Sequence, residues 1–190
     1  MVCIDMTEVN SVNLHLVLSL IHISEPTRQA EISGELYVGT ENYGLFVYDK
    51  GKFFRVTNPS DAEITTIHSM YEDEEGKIWL ATSSGIYYYS DGDMTLVADE
   101  DIVYPDVTAI GGYKSYVYAI VNSDTIVNIK NNEIVSKTNK AAYTEEDLNS
   151  LYVDSDGNRY IGTVGHTIVR LTTNKNFTLI STAVLSGINK

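Results

Sequence analysis

Lys77-Ile78-Trp79-Leu80-Ala81-Thr82, then Ser83-Ser84-Gly85, then Ile86-Tyr87-Tyr88-Tyr89, reads as two strands joined by a tight turn. β-branched and aromatic side chains fill both runs, and Gly85 punctuates them. Upstream, Ile64 to Tyr71 is an apolar, β-branched run suited to another strand. Glu72-Asp73-Glu74-Glu75-Gly76 separates it from Lys77 as an acidic turn with a permissive glycine. Downstream, Ser90-Asp91-Gly92-Asp93 is an Asp-Gly hairpin turn, and Met94 to Val97 supplies a fourth strand. Four short antiparallel strands divided by Gly/Asp turns make one sheet unit.

The unit recurs. GELYVGTENYGLFVYDKGKFFRV, KSYVYAIVNSDTIVNIKNNEIV and GNRYIGTVGHTIVRLTTNKNFTLI align with it, anchored at Thr40, Thr82, Asn122 and Thr163. The anchors lie 42, 40 and 41 residues apart (82−40, 122−82, 163−122). A period near 40 with several strands per unit predicts β-propeller blades. Val107 to Ile110 and Leu148 to Val153 are the expected inner strands of the later units, and Asp154-Ser155-Asp156-Gly157-Asn158 is the turn after the last. The first unit lacks an inner strand, and Ala183 to Lys190 reads as the approach to a further blade. The fold class expected is all-β: an incomplete propeller of four-stranded antiparallel blades, about 3.5 of them. The expected blades span 34–57, 62–98, 104–136 and 146–181, followed by a stub, within a partial propeller of 34–190.

Residues 1–33 stand apart from this pattern. Leu18 to Arg28, LSLIHISEPTR, resembles a translated sequencing-library adapter over eleven consecutive residues. Strand patterning begins only at Gly34. Residues 1–33 are therefore expected to be a non-native or disordered segment, outside the fold. His15, His22 and Cys3 lose functional weight with it.

Composition narrows the function. Net charge is -13 over 190 residues, which opposes binding to nucleic acid or anionic lipid. Cys3 is the sole cysteine, so no disulfide or cysteine zinc site forms within the chain. No run approaches the roughly 18 apolar residues of a spanning helix. Val12 to Ile23 is interrupted by Asn13, His15, Ser19 and His22 and lacks a basic lead, so no signal peptide is expected.

Ile67-His68-Ser69-Met70-Tyr71-Glu72-Asp73, Gly76-Lys77-Ile78-Trp79-Leu80-Ala81-Thr82 and Gly85-Ile86-Tyr87 together resemble the two-component regulator propeller repeat. Its pattern is an inner strand ending in Asp, a turn, Gly-x-Ile-Trp-Ile-Gly-Thr, then Gly-Leu. Leu151 to Thr163 is similar again, and Leu36 to Thr40 with Gly44-Leu45-Phe46 in part. The third unit departs from it, with Val121-Asn122 for Gly-Thr and Thr125 where Gly would stand. The resemblance implies the extracytoplasmic (periplasmic or cell-surface) sensor of a membrane-anchored, dimeric receptor. The output domain of such a receptor is a hybrid histidine kinase or a diguanylate cyclase. The implied partner is an extracellular ligand, with carbohydrate as one candidate.

Each candidate site residue has a plainer alternative. Asp154, Asp156 and Asn158 alternate oxygen groups as a calcium loop does, but Gly157 stands fourth rather than sixth and strand residues follow at once. A turn in which Asp accepts backbone N–H groups explains them more simply. Glu72 to Glu75 reads as a solvated acidic turn. His68 sits in an inner strand and is a candidate channel-lining residue, and His166 follows Gly165 in a turn; neither has a partner at metal-ligand spacing. Tyr87-Tyr88-Tyr89 is a candidate sugar-stacking platform, yet a strand between two blades buries both faces, and Trp79 reads as blade packing. Asn176-Phe177-Thr178 fits a glycosylation acceptor weakly. With no nucleophile motif or phosphate cradle, no catalytic residue, metal or cofactor is expected.

The favoured reading is a non-catalytic, ligand-sensing fragment. A propeller glycosidase or lyase, and a protein-interaction scaffold, are its rivals. An open row of blades leaves its end faces bare, so marginal stability or association is expected of the isolated chain.

Overall fold

The computed structural model describes residues 36–57, 64–98, 105–165, 167–174 and 176–181. The N-terminal segment 1–33, His166 and the stub 183–190 lie outside the described residues.

Among the described residues, fifteen strands build four sheets. The first holds β1 (Leu36–Gly39), β2 (Leu45–Asp49) and β3 (Lys52–Arg55). The second holds β4 (Ile67–Glu72), β5 (Ile78–Thr82), β6 (Gly85–Ser90) and β7 (Asp93–Val97). The third holds β8 (Val107–Tyr113), β9 (Tyr116–Val121), β10 (Thr125–Lys130) and β11 (Glu133–Asn139). The fourth holds β12 (Leu148–Val153), β13 (Arg159–Thr163), β14 (Thr167–Leu171) and β15 (Phe177–Ser181). Each sheet is an antiparallel meander in chain order. Apart from one 3-10 turn at Lys140–Ala142, the described residues are all β or connection. The described residues form an incomplete β-propeller: three four-stranded blades and one of three strands.

The blades pack in series. β4 packs on β8 and β8 on β12, while β1 approaches β4, so the sheets converge on their first strands. Period-2 alternation sends the two faces of every strand to different neighbours. Tyr87 and Tyr89 turn back toward the first blade, in a cluster with Leu45, Ile67, Met70, Ile78 and Leu80. Tyr88 points forward with Trp79, Ala81 and Ile86 onto Val117, Ala119, Val127 and Ile129 of the third blade. Ala109, Ile120 and Ile126 then face Leu148, Ile161, Val169 and Leu171 of the fourth. The aromatic contacts follow the same division. Tyr89 meets Tyr37 edge-on at 5.9 Å, and Tyr88 tilts against Trp79 at 5.3 Å.

Several strand limits differ from the expected ones, β8 for one running on past Ile110 to Tyr113. The ladder of the second blade begins at Ile67, not Ile64, because the preceding backbone serves the first blade. The Gly44 N–H donates to the Thr65 carbonyl at 2.8 Å, and Ile67 N–H donates to the Thr40 carbonyl at 2.9 Å. The outer strand of the third blade runs past Ser136 to Asn139, whose side chain caps the 3-10 turn.

Candidate functional site

Two kinds of turn recur among the blades, one led by Asp in the second and fourth and one by Thr in the first, second and fourth. At one end, Asp closes the turn after the inner strand. Asp73 Oδ1 accepts the N–H groups of Glu75 (2.9 Å) and Lys77 (3.0 Å). Asp154 Oδ1 accepts those of Asp156 (3.0 Å) and Asn158 (2.8 Å), while its Oδ2 accepts the Asn158 side-chain amide at 2.9 Å. These bonds, the Asn158 amide first, hold the Asp154 carboxyl below its ordinary value. The Asp154–Asn158 segment is thus a hydrogen-bonded turn whose lead carboxylate is engaged by its own loop. In the acidic turn, Glu75 pairs with Lys77 at 2.9 Å, which raises the Lys77 ammonium. A cleft of about 110 Å³ lies here between Trp79, Lys77, Lys114, Val117 and Asn132.

At the other end, Thr closes the turn between the second and third strands. Thr40 Oγ1 donates to the Gly44 carbonyl (2.8 Å) and accepts the Tyr43 N–H (3.0 Å). Thr82 Oγ1 donates to the Gly85 carbonyl (2.8 Å) and accepts the Ser84 N–H (3.1 Å). Thr163 Oγ1 donates to the Thr167 carbonyl at 2.8 Å. The degenerate third unit solves the same turn differently. Asn122 and Ser123 take left-handed backbone (φ 53° and 56°), a conformation Asn tolerates, and Asn122 Oδ1 accepts the Asp106 N–H at 2.9 Å.

This second end is also where the inner strands begin, and side chains there join neighbouring blades. His68 Nε2 lies 3.1 Å from Asp106 Oδ1, linking β4 to the segment before β8. Thr66 donates to the Glu41 carbonyl, and within the fourth blade the Thr163 hydroxyl lies against the Glu146 carboxylate. Lys140 pairs with Asp147. Leu148 N–H donates to the Ser123 carbonyl at 2.7 Å. Glu41, Asp106, Asp124, Glu145, Glu146 and Asp147 make the end acidic, with Lys140 and His68 among them. The arrangement gathers hydroxyl, amide, imidazole and carboxylate groups at the end where the inner strands begin.

Of the candidate site residues from the sequence that are described, His68 belongs to this end. Trp79 is 2% exposed within the interface of the second and third blades. The three tyrosines are committed to two interfaces, and Phe177 stands exposed on β15. Asp106, Asn122 and Glu146 were not legible as site residues, since each meets its partner across a turn or a blade boundary. Among the described residues, no three His, Cys, Asp or Glu side chains gather as a metal group. No helix there is long and apolar enough to cross a membrane.

The inner strand ending in Asp73, its turn, the Trp79 strand and the Thr82 turn form one continuous signature. Residues 63–84 match the two-component regulator propeller family. No curated protein matches the chain. Among solved structures, the blades are similar to the extracellular domain of a hybrid two-component system from B. thetaiotaomicron (TM-score 0.64, 19% identity). That match covers 82% of this chain and 22% of the other, so the present chain spans about a fifth of it. Virginiamycin B lyase from Staphylococcus aureus is also similar (TM-score 0.65, 13% identity, 78% of this chain, 52% of that one). So are the WD40 repeats of RRP9 (TM-score 0.62, 10% identity, 77% and 47%). At these identities the likeness is one of fold, and only the two-component regulator propeller match is carried by sequence.

Proposed function

We propose that this chain is part of a ligand-sensing propeller of a bacterial signal-transduction receptor, placed outside the cytoplasm and not itself catalytic. The observation that carries the reading is the family repeat over 63–84 on a fold shared with an extracellular two-component domain. The ligand site proposed is the end lined by Glu41, Thr66, His68, Asp106, Asn122 and Glu146. Its groups suit a neutral, hydroxyl-rich solute such as a carbohydrate, and its charge disfavours anions. Ligand binding acts on a linked kinase or cyclase only through different affinity for two receptor states. The His68–Asp106 contact, bridging two blades, is a place where such a difference arises.

The test is a parent receptor carrying His68→Ala and Asp106→Ala together, assayed for output across a panel of neutral sugars and polyols. Loss of the ligand response with basal output retained supports the reading. An unchanged dose-response curve overturns the assignment of this end.

A further inference from the structure

The inner strands β4, β8 and β12 each carry a β-bulge one residue in from the start. Ladder pairing passes from Ile67 to Ser69, from Val107 to Ala109 and from Leu148 to Ser150. His68, Thr108 and Asn149 are the residues stepped over. They are equivalent, each standing 14 residues ahead of its anchor Thr82, Asn122 or Thr163 (82−68, 122−108, 163−149). The residues just before them, Ile67, Val107 and Leu148, are buried aliphatics. At the bulge itself the side chain is polar in all three strands, although strands favour β-branched and aromatic residues and disfavour Asn. A bulge re-aims a side chain, and bulges are enriched beside binding sites. The middle member adds an independent sign. Thr108 is half-buried, and its hydroxyl oxygen is shielded from solvent with no hydrogen-bond partner. β8 is flanked by β4 and by β12, so this unpaired hydroxyl does not arise at an end of the row. Native structures rarely leave such a group unpaired. Rotation about χ1 to another staggered well turns the hydroxyl toward the exposed part of the side chain, and no bond is given up in doing so. His68 and Asn149, on the strands to either side, are exposed.

We propose that His68, Thr108 and Asn149 form a row of specificity-determining contacts for the hydroxyl groups of a neutral sugar or polyol. The inference rests on the reading that this end holds the ligand, and adds to it Thr108, Asn149 and the requirement for an uncharged solute. A sugar hydroxyl both donates and accepts, and the row answers in kind. The Asn149 amide and the Thr108 hydroxyl each do both. His68 Nε2 faces the Asp106 carboxylate, which can only accept, so Nε2 carries the proton and a neutral ring keeps Nδ1 as an acceptor. Asp106 and Asp147 stand two residues ahead of Thr108 and Asn149, and their charge opposes an anionic ligand. The Thr108 hydroxyl gains a hydrogen bond on binding that it lacks in the free chain, so its contribution to affinity is not offset by a bond lost.

The test is isothermal titration of the full chain with D-glucose, D-galactose, D-xylose and D-mannitol, with D-glucuronate as the charged counterpart, alongside thermal unfolding. Binding of at least one neutral solute, and no binding of glucuronate, is expected. Thr108→Val keeps the shape and removes the unpaired hydroxyl. It should raise the melting temperature of the free chain by about 2–4 °C while weakening binding about tenfold. Those opposite signs separate a ligand contact from a structural hydroxyl, whose loss would lower the melting temperature. Asn149→Ala changes an exposed side chain and should weaken binding to a similar extent with the melting temperature unchanged. A wild-type chain that binds none of the neutral solutes overturns the proposal. So does a Thr108→Val chain that melts lower, or one that binds as tightly as the wild type. If both variants bind unchanged while the receptor carrying His68→Ala and Asp106→Ala loses its response, this end holds the ligand and the bulge row does not touch it.

Discussion

The Trp79 indole N–H donates a 2.8 Å hydrogen bond to Asp73 Oδ2, so the carboxylate just past the inner strand anchors the second strand's aromatic. The same carboxylate accepts two backbone N–H groups through its other oxygen. Turn closure and interface packing thus share one side chain. Asp73→Ala should destabilise the chain by about 2–3 kcal/mol, since it strands two turn donors and a buried indole N–H. Asp73→Asn, which keeps an acceptor, should cost less. Urea unfolding followed by tryptophan emission gives both values. Equal losses for the two variants would contradict the assignment.

Thr82 has no exposed surface, and its hydroxyl satisfies Gly85 and Ser84 at once. Thr82→Val keeps the shape and removes both bonds, so a loss of about 1–3 kcal/mol is expected. Thr82→Ser should recover most of it. Thr40→Val should behave alike, because Thr40 makes the same pair of bonds one blade earlier.

Gly157 has φ of +79°, and a Cβ there would stand 2.5 Å from Tyr113 Cδ1 of the preceding blade. Gly157→Ala therefore meets backbone strain and a neighbour together, and should cost about 2 kcal/mol or more. Gly92 has φ of +90° with nothing within 4 Å, so Gly92→Ala isolates the backbone contribution. Thermal unfolding should rank Gly157→Ala as clearly the more damaging.

Asp154 titrates below its ordinary value, mainly through the Asn158 amide and then backbone N–H groups. A carboxylate depressed by folding stabilises the native state above its unfolded pKa, about 3.9, and that contribution fades as pH falls through the folded value. Melting temperature should therefore drop on acidification below about pH 4, with part of the slope due to Asp154. In Asp154→Ala the acid limb should be shallower, and above pH 5 the two chains should differ by a constant offset.

Local chemistry was legible in the sequence and distant chemistry was not. The Thr anchors and the Asp-led turns act within about four residues, so spacing alone revealed them. The two-sided role of Tyr87, Tyr88 and Tyr89 followed from period-2 alternation between blades. By contrast, Ile64 to Thr66 look like strand, but the Thr65 carbonyl accepts the Gly44 N–H of the neighbouring blade's turn, a tertiary effect that overrides propensity. His68 and Asp106 stand 38 residues apart, and only the packing of β4 beside β8 brings them together. The third unit hid its turn because Asn122 meets the left-handed requirement without glycine.

Trp79 is the sole tryptophan, and it sits at the seam between the second and third blades. The molecule therefore carries a built-in optical reporter for that one seam. Its emission should be blue-shifted while the seam is shut and should redden when those two blades part, even if the rest of the row stays folded. A probe placed in this way distinguishes opening at one joint from melting of the whole.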